Sequence, residues 1–263
     1  MTAFPNAVAD SATMLRRNLR RLRRYPSLTI FIAGTPVVFL LLFVYVFGGT
    51  MGAGLGGVTG GRAAYTAYVL PGILLITVVG AAQGTALSIA MDMSEGIVAR
   101  FRTMAVSRSS VLAGHVVGSV IQTMLALAIV AVVALVIGFR PTTGPADWLA
   151  AVGLLALAAL AVSWISVALG MSTKSVETAS NLPIFLILLP FLSSGFVPTN
   201  SMPDGLGWFA ENQPFTPVIE TVRSLLLGTP MGDSGVVAVI WCLALTAVGY
   251  VAAMRLYERD RAQ

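Results

Sequence analysis

The chain has 263 residues, 57% of them hydrophobic and 10% charged, and a net charge of +5 at pH 7. A soluble domain carries about 25% charged residues, so this composition excludes an ordinary water-soluble fold and indicates a polytopic, all-α membrane protein. The single cysteine, Cys242, excludes an intrachain disulfide and a cysteine-based metal site.

The basic residues sit at helix flanks rather than in one patch, which argues against a nucleic-acid partner. Arginine outnumbers lysine fifteen to one among many Ala, Gly and Val residues, a usage associated with GC-rich bacterial genomes.

Residues 1–27 carry Arg16, Arg17, Arg20, Arg21, Arg23 and Arg24, with Leu15, Leu19 and Leu22 spaced to share a helical face. This pattern predicts a basic amphipathic helix lying on an anionic membrane surface. The apolar run 28–47 is longer than a signal-peptide core and lacks a clean small-x-small cleavage site, so it reads as the first span. Residues 48–64 are glycine-rich. Gly56, Gly61, Arg62 and Ala63 fall at P-loop spacing, but Arg replaces Lys and Ala replaces Ser/Thr, so a nucleotide site is rejected in favour of a flexible external loop.

Further spans are expected at 65–90, 109–138, 148–170, 181–197 and 235–254. The fifth is short and interrupted by Pro183 and Pro190. Between the second and third lies the charged stretch 91–108. There Met93, Ile97, Phe101 and Met104 share one helical side among Asp92, Glu95, Arg100, Arg102 and Arg108. A short amphipathic helix on the membrane surface is expected, although a solvated loop fits the same charges. With the N-terminus inside, thirteen basic residues fall on inner segments and three, Arg62, Arg140 and Arg223, on outer ones. This positive-inside bias predicts cytoplasmic termini and a cytoplasmic 91–108 segment. The expected organisation is an interfacial segment 1–27, a six-helix membrane domain 28–256 and a cytoplasmic tail 257–263.

The external connection 198–234 contains Pro198, Pro203, Pro214, Pro217 and Pro230. Thr216 before Pro217 is a helix start and Gly228 a helix stop. Val218, Ile219, Val222, Leu225 and Leu226 form an apolar face, and Glu220 is placed to pair with Arg223. Trp208 and Phe209 suit the lipid–water interface. These features predict short re-entrant helices in the outer leaflet; an external cap without membrane contact is the alternative.

No catalytic constellation is visible. His115 is the only histidine, and it reads either as a satisfied or surface residue or as a proton carrier. No charge is expected centrally in a span, which argues against a proton- or sodium-coupled carrier. The polar span residues are Gln83, Thr85, Gln122, Thr123, Ser163, Ser166, Ser193 and Ser194. They either bond helix to helix, at roughly 1 kcal/mol each, or line a substrate route. Gly80-x-x-x-Gly84 and Gly114-x-x-x-Gly118 are candidates for close helix approach. An uncharged path favours a lipophilic substrate.

The segment 96–108, Gly-Ile-Val-Ala-Arg-Phe-Arg-Thr-Met-Ala-Val-Ser-Arg, resembles the cytoplasmic loop of type-2 ABC transporter permeases, in particular the membrane subunits of daunorubicin/doxorubicin-resistance exporters. Phe191-Leu-Ser-Ser-Gly-Phe-Val-Pro198, Met202-Pro203, Glu211-Asn-Gln-Pro214 and the run from Glu220-Thr-Val-Arg223 to Gly228 resemble the same family's second signature. Ala105 departs from the pattern, standing where the family has proline. The resemblance implies a coupling helix at 91–108, with Glu95, Gly96, Arg100, Phe101, Arg102 and Arg108 against a cytoplasmic ATP-binding cassette subunit. It also implies a second permease chain, identical or homologous, and ATP with magnesium bound on the partner. The expected role is an exporter subunit in the bacterial inner membrane, moving a drug, a lipid or a lipid-linked glycan. Membrane lipids and the substrate complete the expected partners. A self-sufficient carrier and a non-transporting assembly factor are the competing classes.

Overall fold

The computed structural model describes residues 26–49, 61–95, 108–173 and 175–259. The protein is all-helical, with 85% helix and no strand among the described residues. The helices are α1 (Pro26–Leu42), α2 (Gly61–Ser94), α3 (Arg108–Val136), α4 (Pro145–Ser172), α5 (Val176–Asn181), α6 (Ile184–Phe191), α7 (Asp204–Asn212), α8 (Phe215–Leu227) and α9 (Ser234–Arg259). The amphipathic helix expected before residue 26, most of the glycine-rich loop, Lys174 and residues 260–263 lie outside the described residues.

Four helices, α2, α3, α4 and α9, are long and apolar enough to cross a membrane. The stretches Ile32–Phe47 and Val176–Phe191, which cover the expected first span and much of the fifth, are shorter. In the first, α1 passes into a π-helical turn at Phe43–Phe47. In the second, Pro183 caps α6 and Pro190 lies in its last turn, so the apolar run breaks into two short helices. Proline supplies no backbone N–H and crowds the preceding turn.

The bundle is built around α2. Its 34 residues extend about 51 Å at 1.5 Å per residue, and every residue from Val69 to Val79 is buried. A helix apolar all round belongs inside a bundle. Helices α1, α3, α4, α5, α6 and α8 pack around it, whereas α9 packs on α4 and α8. The outer side of α9 exposes Val236, Ile240, Leu243 and Val248, as suits a lipid-facing helix.

The second span was expected to end at Ala90. Helix α2 instead continues through Met91, Asp92, Met93 and Ser94. Those residues belong to the spanning helix and not to a separate surface helix. Asp92 is buried, and Met93 packs against a core formed by Ile89, Leu112, Trp164 and Met171. Burial at the end of the bundle therefore extends the helix past its apolar run. The rest of the amphipathic segment, 96–107, lies outside the described residues.

Close helix contacts fall at glycines other than those of the expected small-residue pair on α2. A Cβ on Gly170 of α4 would lie 2.6 Å from the Ala86 carbonyl oxygen of α2. One on Gly249 of α9 would lie 2.7 Å from the Ile165 nitrogen of α4. Gly80 has nothing within 4 Å of such an atom, and Gly84 meets only the tip of Ile32 at 3.9 Å. Gly114 and Gly118 are both buried in α3. We therefore expect Gly170→Ala to lower stability by about 1–3 kcal/mol through overpacking against backbone. Gly80→Ala should be neutral or should stabilise by up to about 1 kcal/mol through helix propensity. Thermal unfolding of the two variants in detergent checks the contrast, and equal melting points would refute it.

Candidate functional site

Helix α2 carries polar contacts at three levels. At the end of the bundle near Gly228, Arg223 of α8 reaches across to α2. Its Nη2 donates to the Ser194 carbonyl at 2.7 Å and to the Tyr68 carbonyl at 3.2 Å. Its Nε donates to the Tyr68 carbonyl at 3.4 Å, and its guanidinium lies 4.1 Å from the Tyr68 ring centre. The Tyr68 hydroxyl donates to the Ser194 carbonyl at 3.0 Å. One carbonyl in the irregular segment after α6 thus receives both a cation and a phenol. Burial pulls the Arg223 pKa below its ordinary value, while Tyr68 and Glu220 push it back up; an arginine remains charged in this setting. Glu220 thus acts on Arg223 through its charge, as the spacing predicts, while the direct hydrogen bonds of the guanidinium go to the carbonyls of Tyr68 and Ser194.

The neighbouring polar groups complete this end. Gln213 Nε2 donates to the carbonyls of Leu189 and Leu192 at 3.0 and 2.8 Å, satisfying the end of broken α6. Ser193 donates its hydroxyl to the Pro190 carbonyl and accepts the Gly195 N–H at 3.1 Å. The Ser194 hydroxyl oxygen and Gln213 Oε1 are buried without a hydrogen-bond partner among the described residues. Thr216 was expected to cap α8. The helix instead begins at Phe215 with Pro214 as its N-cap residue, and the Thr216 hydroxyl donates to the Ala210 carbonyl. Pro217 is buried in the first turn of α8 and Glu220 is half-buried. Gly228 ends the helix as expected, at φ 67°, where a side chain would be strained.

In the middle of the bundle, hydroxyls join three helices. Ser163 of α4 donates to Ser119 of α3 at 3.0 Å, and Ser119 shares a 2.6 Å bond with Thr85 of α2. Thr85 donates to the Ala81 carbonyl at 3.2 Å. With one proton per hydroxyl, the bonds run Ser163 to Ser119 to Thr85 to Ala81. Thr123 donates to the Ser119 carbonyl and Ser166 to the Val162 carbonyl. Gln83 and Gln122 are half-buried on α2 and α3. The expected pathway residues therefore divide between helix-bonding hydroxyls, half-buried amides and the Ser193–Ser194 turn.

At the Arg259 end, His115 Nε2 donates to Asp92 Oδ2 at 3.1 Å, and both residues are buried. This joins α2 to α3 on either side of the segment read as the coupling helix. Glu95 is exposed in the turn after α2 and bonds through its N–H to the Met91 carbonyl at 2.9 Å. Arg108 opens α3, while Gly96, Arg100, Phe101 and Arg102 lie outside the described residues.

Sequence reasoning missed Tyr68, Ser119 and Gln213 as site residues and read Asp92 as a surface charge. Tyr68 and Arg223 are 155 positions apart, so no local spacing links them. A lone carboxylate one turn beyond an apolar run, with one histidine near the start of the next, was the available signal for Asp92–His115.

Apolar helices of membrane length, joined by hydroxyls and carrying ionisable groups towards the bundle ends, define a multi-pass membrane protein. Residues 11–227 match the model of the ABC-2 type transporter family, and the chain belongs to that family. It is 30% identical over 262 residues to the daunorubicin resistance ABC transporter permease protein DrrB1 of Streptomyces coeruleorubidus, covering 99% of this chain and 90% of that one. It is 24% identical over 245 residues to the probable doxorubicin resistance ABC transporter permease protein DrrC of Mycobacterium tuberculosis, covering 90% and 87%.

Removing Arg223 leaves its two carbonyl acceptors without their charged donor, so Arg223→Ala should cost about 1.5–3 kcal/mol of stability. Tyr68→Phe should cost about 1 kcal/mol. Because both donors share the Ser194 carbonyl, their double-mutant cycle in thermal unfolding should be non-additive; strict additivity would contradict the shared acceptor. At the other end, His115→Leu removes a buried charge-assisted bond to Asp92 and should cost about 1.5–3 kcal/mol. Melting in the same detergent checks this, and an unchanged melting point would contradict it.

Proposed function

We propose that this chain is the membrane-spanning permease subunit of an ATP-driven exporter in a bacterial cytoplasmic membrane. Six spans place both termini in the cytoplasm, and α7 and α8 lie at the outer face as re-entrant elements. A separate cytoplasmic ATP-binding cassette subunit binds ATP with magnesium and drives transport, and two permease chains flank the route. The substrate is lipophilic, a drug or a lipid. The observation that carries this reading is the 30% identity to a daunorubicin resistance permease along 99% of the chain. The protein's own chemistry agrees. The hydroxyls of Thr85, Ser119 and Ser163 that bond in the middle of the bundle are uncharged and suit an apolar cargo better than an ion.

In this reading, residues Glu95, Gly96, Arg100, Phe101, Arg102 and Arg108 engage the ATPase. Phe101 is the chief contact, because buried aromatics carry much of an interface's energy. The arginines offer charge-assisted bonds to carboxylates on the partner. Glu95 suits a protein surface better than an anionic lipid surface. Gln83 and Gln122 face the route between permease chains, with Ser193 and Ser194 closer to its outer end.

The test is coexpression with a candidate ATPase, followed by copurification and daunorubicin-stimulated ATP hydrolysis. Loss of roughly 2 kcal/mol in Phe101→Ala should weaken association at least about thirtyfold, and Glu95→Lys should weaken it further. Failure of any ATPase to associate with the wild-type chain would remove the exporter reading. Wild-type behaviour of both variants would move the docking surface elsewhere.

A further inference from the structure

Between α3 and α4, towards the end of the bundle where α8 packs, lies a groove of about 380 Å³. This is within the range of about 300–1,000 Å³ typical of small-ligand pockets. Its walls include Ala131, Leu135, Phe139, Trp148, Leu155 and Val222, and no charged side chain lines it. Val132 and Val152, on its two sides, are 58% and 42% exposed, so its mouth opens on the outer surface of the bundle. Hydrocarbon suits the interior, because an unpaired polar group would be stranded there.

The groove has one cationic end. Arg140 is exposed just beyond α3, and its Nη1 donates to the carbonyls of Leu135 and Phe139 at 2.9 and 3.1 Å. Both of those residues line the groove. The two bonds tie the guanidinium to the backbone of two groove-lining residues while using a single nitrogen. The opposite edge, Nε–H with Nη2–H, makes no bond among the described residues. That edge is the planar fork that receives a phosphate through two parallel hydrogen bonds. Trp148 lies half-buried in the groove wall near the start of α4, where an indole suits the interface between headgroups and hydrocarbon.

We propose that the groove is a phospholipid site: one acyl chain fills the space between α3 and α4, and the phosphodiester rests on the Nε–Nη2 edge of Arg140. Shape and chemistry change together along it, from hydrocarbon walls to a fixed cation at one end. An arginine serving only as a helix-end donor would not require an apolar groove beneath it. A groove filled by any loose hydrocarbon would not require the cation.

The test uses the full-length chain in phosphatidylglycerol nanodiscs, transferred to mild detergent, with retained lipid counted by native mass spectrometry. Diacylglycerol with the same chains and inorganic phosphate alone are the comparison probes. The wild type should retain phosphatidylglycerol at least about tenfold better than diacylglycerol, and free phosphate should not bind. Arg140→Gln should bring phosphatidylglycerol down to the diacylglycerol level. Ala131→Phe should abolish retention of both with helix content unchanged. Ala128→Phe, on the exposed rim of the same groove, should act alike should the first variant misfold. Equal retention of the two lipids by the wild type would overturn the proposal, as would full retention by both phenylalanine variants. Oxidative cross-linking of two Ala131→Cys chains would also overturn it, by giving the groove to a second copy.

Discussion

The bundle depends on the contact between α2 and α4 at Gly170, where two helix backbones meet with no side chain between them. Within a membrane, apolar side chains gain little by exchanging lipid for one another, so helices are held by dispersion at close range and by shared hydrogen bonds. The approach at Gly170 lies one residue from Thr85, which joins the hydroxyl chain through Ser119 to Ser163 of the same α4. Close packing and polar bonding thus act at one level of the bundle. Gly249 then brings α9 onto the outer side of α4, so the order of packing runs outward from α2.

The buried hydroxyls and the ionisable groups divide by place: the hydroxyls bond within the bundle, and the ionisable groups lie towards its ends. Thr85, Ser119 and Ser163 offer hydroxyls whose protons can be passed in one direction without leaving an acceptor empty. The ionisable pair Asp92–His115 lies near one end, where α2 is finishing and α3 has completed about two turns. Arg223 lies at the other end, bonded to backbone carbonyls. A low-dielectric interior makes an unmatched charge costly, and this distribution confines that cost to places where partners are provided by neighbouring elements.

Much of the helical framework was legible because long apolar runs need no tertiary context. The stop at Gly228 and the break around Pro183 and Pro190 were also legible, since both follow from local backbone restrictions. The end of α2 was not. Asp92 and Met93 look like surface residues until His115 and the core beside Trp164 are present to receive them. Gly80 and Gly84 have the spacing of a helix contact, yet the face they occupy touches no neighbouring backbone; Gly170 and Gly249 carry the contact without that spacing. Thr216 marks the start of α8 to within one residue, but the role of its side chain depends on the neighbouring helix. Its hydroxyl serves the Ala210 carbonyl in the preceding helix, a bond set by the turn between α7 and α8.

The chain leaves helical geometry at the end of α6, so the carbonyls around Leu192 and Ser194 need donors from elsewhere. Gln213 serves Leu189 and Leu192 with its amide nitrogen, and Arg223 serves Ser194 with its guanidinium. In a soluble protein, water would perform that service. Here two long side chains act as internal solvent for the exposed peptide groups. The backbone at this end of the bundle can consequently be irregular within a membrane, because its carbonyls draw their donors from two side chains distant in sequence.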